Sequence, residues 1–311
     1  MFERENKMGV EKKYQHLIPR VHMKQWASRI NKDKGKDAEV FVYTYSKGKT
    51  LDNGIETNTK EIGGIEDYHT ITKDSLFITE EDLNRISNGE ERILDIEDGW
   101  QKQLENNWLS LVNKINNDIL KTRKQSIAEF KKDEIITFMV CMMYRGFKGI
   151  YIFRKFITDA ILELNLGKEL EENLFEFYIQ DDEMIKNHLL SSMRGFVENK
   201  ANTLIMKMCE LHIKNTTIAF MVAPDNIEFI TTDNPSLECT MNFLNKEGSG
   251  KVHIMPISPR VALILLKDSD KEGKYKIIKS DIDTVKSLNK VMIESSVGFI
   301  ISSKKSIKDF I

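Results

Sequence analysis

The sequence has little of several features that mark particular classes of protein. It contains three widely spaced cysteines and no CxxC pair, which excludes a disulfide framework or a zinc knuckle and is typical of the reducing cytoplasm. Its formal net charge is −2, from 46 basic and 48 acidic residues, so no overall basic field indicates a nucleic-acid-binding protein. With 41% hydrophobic and 30% charged residues among 311, the chain has the balance of a globular protein that buries a core.

The chain also lacks a long apolar run. Its most apolar stretch, residues 135–144, ends at Arg145 and is shorter than the roughly 20 residues that a spanning helix needs, so it predicts a buried helix. Residues 1–13 are charged throughout and contain no apolar core of a secretory signal. We therefore expect a cytoplasmic protein without a membrane partner.

Several catalytic motifs are missing. The sequence has no GxxxxGK[ST], no strand-linked GxGxxG, no GxSxG and no HExxH. These absences remove support for P-loop nucleotide hydrolysis, dinucleotide chemistry, serine hydrolysis at a nucleophile elbow and zinc proteolysis. No lysine-rich helix resembles a DNA-reading element.

The hydrophobic pattern of the first two thirds predicts strands followed by helices. Near-alternating β-branched and aromatic residues predict a strand over 39–46, with 54–62 as its partner. Thr79 to Asp82 has the capping-box pattern that begins a helix. Apolar residues at three- and four-residue steps, with Trp100 and Trp108 expected in the core, predict several helices. These are expected over 96–119, 130–147, 150–166, 170–180 and 182–213.

After residue 215 the pattern returns to strands. Residues 216–223 and 227–232, joined by Pro-Asp-Asn, predict a β-hairpin. Further predictions are a strand pair over 252–255 and 261–266, strands over 274–278 and 298–301, and a helix over 281–295.

Because strands at both ends enclose helices, we expect an α+β fold. Its mixed or antiparallel sheet is built from N- and C-terminal strands, and a helical bundle forms the middle third. The predicted organisation is a single domain over residues 1–311, with 80–213 as a helical insertion within it.

The first polar constellation surrounds His16, which stands three residues before a proline that favours a helix start. We expect Arg20, Lys24 and Arg29 to share one side of that helix near the imidazole. An imidazole beside a guanidinium suits general acid or base catalysis next to a bound phosphate or carboxylate, because its pKa lies near neutrality. The alternative is a histidine that only hydrogen-bonds the start of the chain.

The second constellation ends the predicted strand at 229–235, where Asp233 and Asn234 follow two threonines. Carboxylates at a sheet edge are common metal ligands and catalytic groups. Asp-Asn-Pro is equally an ordinary turn, since these side chains bond their own backbone.

The third constellation is a loop in which two prolines flank Ser258 and precede Arg260. Two prolines make the loop extended and rigid, which would aim both side chains reproducibly. A proline-rich crossover without chemistry would have the same sequence.

The order of these motifs resembles that of a bacterial family, domain of unknown function 4238. The resemblance covers nearly the whole chain and departs from the family at the opening, where Gln15-His16 replaces a frequent His-His pair and the usual aromatic residue shifts to His22 and Trp26. The matching segments are His16-x-x-Pro19-Arg20, the strand over 40–43 ahead of 62–68, Glu97 in a tryptophan-rich helix, Tyr144-Arg145, 229–235, 256–260 and Leu288-Asn289. The resemblance implies that the family's motifs include His16, Arg20, Glu97, Arg145, Asp233, Asn234, Arg260 and Asn289.

Histidine, acids, arginines and asparagines from distant segments are what one polar cleft looks like along a chain. We therefore predict a nuclease-like phosphodiester hydrolase that acts on nucleic acid or a nucleotide, with His16, Asp233 and Glu97 as catalytic residues. This hypothesis expects the side chains of His16, Asp233 and Arg260 to converge on one pocket. The expected substrate-binding residues are Arg20, Lys24, Arg145, Asn234, Arg260 and Asn289.

A divalent cation, Mg²⁺ or Mn²⁺, is the expected cofactor, and nucleic acid or another phosphate-bearing ligand is the expected partner. The absence of any housekeeping signature extends this hypothesis to a role in phage defence or in a mobile element, without support from a particular residue. No pattern indicates an oligomeric state. The alternative hypothesis is a non-catalytic binding or sensor module whose polar motifs form a structural network.

Overall fold

A computed structural model describes most of the chain. The described residues are 13–32, 38–73, 75, 77–89, 93, 95–122, 126–128, 131–163, 181–200, 203–240, 251–267 and 274–311. The helix predicted over 170–180 lies outside them. The described helices are α1 Arg20–Met23, α2 Glu80–Ser87, α3 Asp95–Trp100, α4 Asn106–Lys121, α5 Lys132–Arg145, α6 Gly149–Glu163, α7 Asp182–Val197, α8 Leu204–Asn215 and α9 Ile282–Ser295.

The strands lie mainly before α2 and after α8. They are β1 Tyr14–His16, β2 Arg29–Asn31, β3 Glu39–Ser46, β4 Ile55–Asn58, β5 Gly64–Glu66, β6 Ser126–Ala128, β7 Thr216–Val222, β8 Thr231–Thr232, β9 Leu237–Thr240, β10 Lys251–Pro256, β11 Val261–Lys267, β12 Lys274–Lys279 and β13 Phe299–Ser302. The predicted pairs of β3 with β4 and of β10 with β11 are both confirmed as antiparallel.

The strands form three sheets. One contains only β1 and β5, a second has the order β6-β12-β7-β11-β10-β9, and the third has the order β2-β3-β13-β8 with β4 also on β3. In the third sheet, β3 from the start of the chain pairs with β13 from its end. This confirms an α+β fold in which N- and C-terminal strands share a sheet and helices fill the middle third.

The predicted hairpin over 216–223 and 227–232 is wrong. The first of these segments forms β7, which pairs with β11 antiparallel and with β12 parallel. The second forms only the short β8, which pairs with β13 in another sheet. The local turn signal is real, but long-range partners bury the apolar residues of both segments and therefore determine the pairing.

The helical third follows its apolar pattern with one irregularity. Residues 95–121 run through α3, a π-helical turn at Gln101–Glu105 and α4. Trp100 and Trp108 are buried as predicted, and Trp108 stacks on Phe138 of α5 with ring centroids 3.6 Å apart. The predicted helix over 182–213 is divided into α7 and α8.

The capping box at α2 is confirmed. The Asp82 amide donates to the Thr79 hydroxyl at 3.2 Å, and the Asp82 carboxylate accepts from the Thr79 amide at 2.9 Å.

Among the described residues, no single helix is both long and apolar enough to cross a membrane. Lys132–Arg145 and Gly149–Asp159 reach the required length and composition only as a pair, bent by 100° at the break between them.

Candidate functional site

His16 ends β1, which lies beside β5. The Gly63-Gly64 pair makes this approach feasible: Gly63 has a φ of 79°, in the left-handed region, and a Cβ on Gly64 would collide with the backbone carbonyl of Gln15. His16 therefore lies directly opposite Gly64 in the strand register.

The His16 imidazole is half-buried and has a defined protonation pattern. Its Nε2 lies 3.1 Å from the backbone carbonyl of Thr59. Because a carbonyl only accepts, Nε2 carries the proton and Nδ1 of the neutral ring is a base. Burial, followed by the charges of Arg20 and Arg145, lowers the pKa of His16 against the raising effects of Thr59 and Glu97.

Arg145, the last residue of α5, connects His16 to two acids. Its guanidinium is 2% exposed and donates to the His16 carbonyl at 2.5 Å, to Glu105 and, at 3.5 Å, to Glu97. The Trp100 ring lies below it, 5.4 Å from the guanidinium carbon to the ring centroid. Arg145 is thus shared by two carboxylates and holds the backbone of the candidate base.

Glu97 and Glu105 reach the same guanidinium because of the π-helical turn between them. Two ordinary helical turns advance about 7.2 residues, whereas a π turn takes up about one more. An eight-residue separation therefore brings both carboxylates to one side. Burial alone would raise the pKa of Glu97, but hydrogen bonding from His69 and the charge of Arg145 leave that pKa lowered, so the carboxylate is ionised.

His69 completes this group, which we call the Arg145 cluster: His16, His69, Glu97, Glu105 and Arg145. The fully buried His69 ring places Nδ1 3.2 Å from Glu97, and its Nε2 has no hydrogen-bond partner among the described residues. Burial lowers the pKa of His69 despite the opposing hydrogen bond to Glu97, so the ring is neutral at pH 7.

Gln15, beside His16 in the chain, fixes the backbone at His69. Its amide oxygen accepts from the His69 amide at 2.5 Å, and its nitrogen donates to the Thr70 hydroxyl at 3.1 Å. The position where the family frequently has a second histidine is thus a buried structural amide here.

Arg20 lies close enough to His16 for its charge to act on the imidazole, but Arg29 does not share a helix with Arg20. The helix α1 has only four residues and passes into a 3-10 turn at Lys24–Trp26, and Arg29 begins β2. Burial and the charge of Arg20 lower the pKa of Lys24, which places the two cations near each other.

Asp233 is fully buried and binds backbone amides. Its Oδ1 accepts from Val297 at 2.9 Å, and its Oδ2 accepts from Phe299 at 3.0 Å and from Gly298. The carboxylate therefore holds the connection between α9 and β13.

Asn289 and Arg260 also have partners away from His16. The Asn289 amide accepts from Ile230 at 3.1 Å and donates to the carbonyls of Glu228 and Phe310 at 2.9 Å. Arg260 donates to the Ala223 carbonyl at 2.9 Å and lies 2.7 Å from Asp225. His16, Asp233 and Arg260 thus have different sets of partners, and the geometry does not bring them together by direct contact.

Asn234 lies next to Asp233 but lines a cavity instead. It is 2% exposed, and its Oδ1 has no hydrogen-bond partner among the described residues. Asn234, one of the residues predicted to bind substrate, thus faces a cavity and retains an unused polar atom.

Sequence reasoning missed His69 and Glu105. His69 directly follows the 62–68 segment that carries part of the family resemblance, so its position was the available signal. Between Ile96 and Trp108 the apolar stripe advances by four residues at each step, and this spacing, longer than the ordinary helical period of about 3.6, fits a helix that contains the π turn.

The described residues contain no group of three or more His, Cys, Asp or Glu side chains arranged to hold a metal ion. The acids of the Arg145 cluster are engaged by a guanidinium, and Asp233 is engaged by amides. The role expected for Mg²⁺ or Mn²⁺ stays a prediction.

Fold and site together define an α+β protein in which a buried arginine at the end of α5, Arg145, donates a hydrogen bond to the two-stranded sheet of β1 and β5. The model of the family described as Protein of unknown function (DUF4238) matches residues 14–306. The chain therefore belongs to this family, as the order of its motifs indicated. Comparisons with curated proteins and with solved structures found no match.

Proposed function

We propose that the protein is a nuclease-like phosphodiester hydrolase in which His16 is the general base. The observation that carries this proposal is the His16 imidazole, whose Nε2 is held by the Thr59 carbonyl while two arginines stand near the ring. A neutral imidazole beside cations can accept a proton from a nucleophile while a phosphate is bound next to it.

The other polar residues have supporting roles in this proposal. Arg20, the first residue of α1, and Lys24, which follows its last residue, bind the phosphate. Arg145 positions His16 through its carbonyl, Glu97 and Glu105 hold Arg145, and these three residues need not touch the substrate.

In the reaction, Nδ1 of His16 removes a proton from water or from a ribose hydroxyl as its oxygen bonds to phosphorus. The phosphorus–oxygen bond to the leaving group breaks, and the leaving oxygen takes a proton from solvent or from the imidazolium. Arg20 stabilises the negative charge that accumulates on the phosphate oxygens.

Labelled single-stranded RNA and DNA oligonucleotides at low salt test the proposal, with EDTA, Mg²⁺ or Mn²⁺ in separate reactions. We expect cleavage, and a loss of about 10²–10⁴-fold in rate for His16→Gln, the usual contribution of a general base. The matched control is His188→Gln, because His188 is an exposed histidine of α7 outside the site. Cleavage of neither polymer under any condition, or an unchanged rate in His16→Gln, would contradict the proposal.

The pH profile gives a second readout. Because the pKa of His16 lies below its ordinary value of 6.5, the base is already neutral at pH 7. The rate is therefore expected to be level around neutrality and to fall only on acidification below pH 6.5. A rate that still rises steeply above pH 7.5 would assign the base to another group.

A second candidate is a non-catalytic binding module. It is favoured by Asp233 and Asn289, whose hydrogen-bonding groups are occupied by backbone amides and carbonyls. These two family motifs then serve the fold, and ligand binding would fall to the remaining polar groups.

A further inference from the structure

A cavity of about 490 Å³ lies at the C-terminal end of α5, beside Tyr144. Its walls come from α5, α6, α8, the start of β9, β10 and the end of α9. Tyr144 lines this cavity, whereas its neighbour Arg145 belongs to the Arg145 cluster. The volume is within the range of roughly 300–1,000 Å³ of small-molecule sites.

Two polar groups at this cavity have unused binding capacity. The buried Oδ1 of Asn234 has no hydrogen-bond partner among the described residues. The side chain of Lys148, half-buried two residues after Gly146, makes neither a hydrogen bond nor an ion pair within the described part of the chain, although it lies near the charges of Lys47 and Asp233. A Cβ on Gly146 would lie 3.1 Å from the Asn234 oxygen, so the Lys148 loop and Asn234 are neighbours.

The other charges near the cavity are largely paired or exposed. Glu238 accepts from His253 at 3.3 Å and lies 3.0 Å from Lys251, so this lysine is already neutralised. Lys155 and Asp159 of α6 and Glu294 of α9 are exposed at the rim. The nearby Asp233 carboxylate is held by three backbone amides. Among the described residues that line the cavity, Lys148 is therefore a half-buried cation without an ion-pair partner, available to an anion.

Apart from Ser295, the rest of the lining is apolar and aromatic. Tyr144 is buried, and Phe156 and Tyr151 of α6 face the cavity together with Met208 and Leu237. Such side chains favour a flat ring system. A ligand that satisfies the site thus has an anionic group for Lys148, a hydrogen-bond donor for Asn234 and an aromatic body.

We infer that this cavity binds a nucleoside monophosphate. Its phosphate pairs with Lys148, an amine or hydroxyl donor meets the Asn234 oxygen, and the base packs against the aromatic wall. This inference does not depend on the phosphodiesterase proposal, because it concerns binding at different side chains and requires no bond cleavage.

Titration calorimetry with the four ribonucleoside 5′-monophosphates tests the inference, using the His16→Gln protein so that catalysis cannot intervene. The comparison ligands are adenosine, inorganic phosphate and benzoate, which carry the ring without phosphate, the phosphate without a ring, and a ring with a carboxylate. We expect at least one nucleotide to bind more tightly than all three. The inference would be overturned if inorganic phosphate bound and the nucleotides did not, or if benzoate bound as tightly as the nucleotides.

Two variants locate the site. Lys148→Met is expected to weaken nucleotide affinity about tenfold or more, because a charge-assisted contact to phosphate is lost. Its matched control is Lys186→Met, a half-buried lysine of α7 that stacks on Tyr68 outside the cavity and should leave binding unchanged.

Asn234→Leu tests the second polar group by replacing the amide with an apolar side chain of similar shape. We expect Asn234→Leu to bind nucleotides more weakly while its circular dichroism spectrum shows that it is folded. Nucleotide binding that Lys148→Met leaves intact, or no binding by any of the four nucleotides at millimolar concentration, would overturn the inference even if Asn234→Leu failed to fold.

Discussion

Arg194 and Arg145 are both buried and both face carboxylates, yet they use their hydrogen bonds differently. Arg194 of α7 binds Asp82 with two nitrogens, at 2.5 and 2.8 Å, and its Nε donates to Glu198 at 2.7 Å. Asp82 also accepts from the amide and the hydroxyl of Thr79. Every polar group of this pair that faces the interior is occupied, and it joins α2 to α7.

The Arg145 cluster is less complete. One guanidinium is divided between Glu97, Glu105 and a backbone carbonyl, and its Nε has no hydrogen-bond partner among the described residues. The nearby Nε2 of His69 is in the same condition. Glu97 and Glu105 are 20% and 18% exposed, whereas Asp82 is fully buried.

The difference separates two uses of a buried charge. A pair whose donors and acceptors all have partners adds to stability and has nothing left to bind a ligand. The Arg145 cluster, with unused polar atoms and two partly exposed carboxylates, is not fully committed to stability. This contrast is why we place the proposed chemistry near Arg145 and a structural role at Arg194.

Arg194→Met is expected to have the largest effect on stability. It leaves the Asp82 carboxylate buried without its counter-charge, which typically costs about 3–5 kcal/mol. Urea unfolding measures the loss, and the double variant with Asp82→Asn should recover part of it. If Arg194→Met unfolds at the same urea concentration as the natural protein, the Arg194–Asp82 pair does not stabilise the fold.

Asp233→Ala tests whether a second buried carboxylate, whose partners are backbone amides and not an arginine, also stabilises the fold. The three amides at 297–299 lose their acceptor, and we expect a loss of about 1–3 kcal/mol. Asp233→Asn should lose less, since its oxygen still accepts. A melting temperature unchanged in Asp233→Ala would return this residue to the group available for catalysis.

Acidification should weaken the protein through His22, whose Nε2 lies 3.2 Å from the Thr231 hydroxyl. Burial lowers the pKa of His22 to about 3 from 6.5. The unfolded chain therefore binds the proton first, and stability present above pH 6.5 is lost as the pH falls toward 3. This amounts to about 2 kcal/mol between pH 7 and pH 5.

The measurement is urea unfolding of the natural protein and His22→Gln at several pH values. The variant should show a shallower dependence on pH. His69→Gln should change the dependence less, because the Glu97 hydrogen bond opposes the effect of burial on the His69 pKa. Identical profiles for the natural protein and His22→Gln would contradict the expectation.

Glu97→Gln should cost less unfolding free energy than the loss of a charged group from the Arg194–Asp82 pair. The 3.5 Å contact with Arg145 is long, Glu105 still neutralises the guanidinium, and the glutamine oxygen still accepts from His69. We expect a cost of about 1 kcal/mol. Thermal unfolding of Glu97→Gln and Asp82→Asn gives the comparison. A larger loss of stability in Glu97→Gln would show that the Arg145 cluster, and not the Arg194–Asp82 pair, is the more important for the fold.

Arg29→Ala should have the smallest effect. Arg29 meets Glu56 at 3.1 Å on the surface, where water solvates both groups and salt screens them. The melting temperature is expected to stay within experimental error in 0.15 M salt. A clear fall would mean that packing of the guanidinium over Phe41, 3.9 Å from its ring centroid, matters more than the ion pair.

The sequence predicted most elements whose pattern is local. Alternation marked β3, the β-branched runs marked β10 and β11, and spaced tryptophans marked the helices around the π turn. The hairpin at β7 failed because its strands bind partners far along the chain. Turn-forming residues indicate the local conformation of the chain but not which distant strands pair.

The amino-acid sequence by itself determined the α+β class, the family and the identity of the polar motifs, because periodicity and motif order are written along the chain. Only the tertiary structure decided the duties of those motifs. Asp233 and Asn289 bind backbone groups, Arg145 joins His16 to Glu97 and Glu105, and Asn234 faces a cavity. The physical reason is that the duty of a polar side chain depends on which donors, acceptors and charges surround it after folding, and distant segments supply most of them.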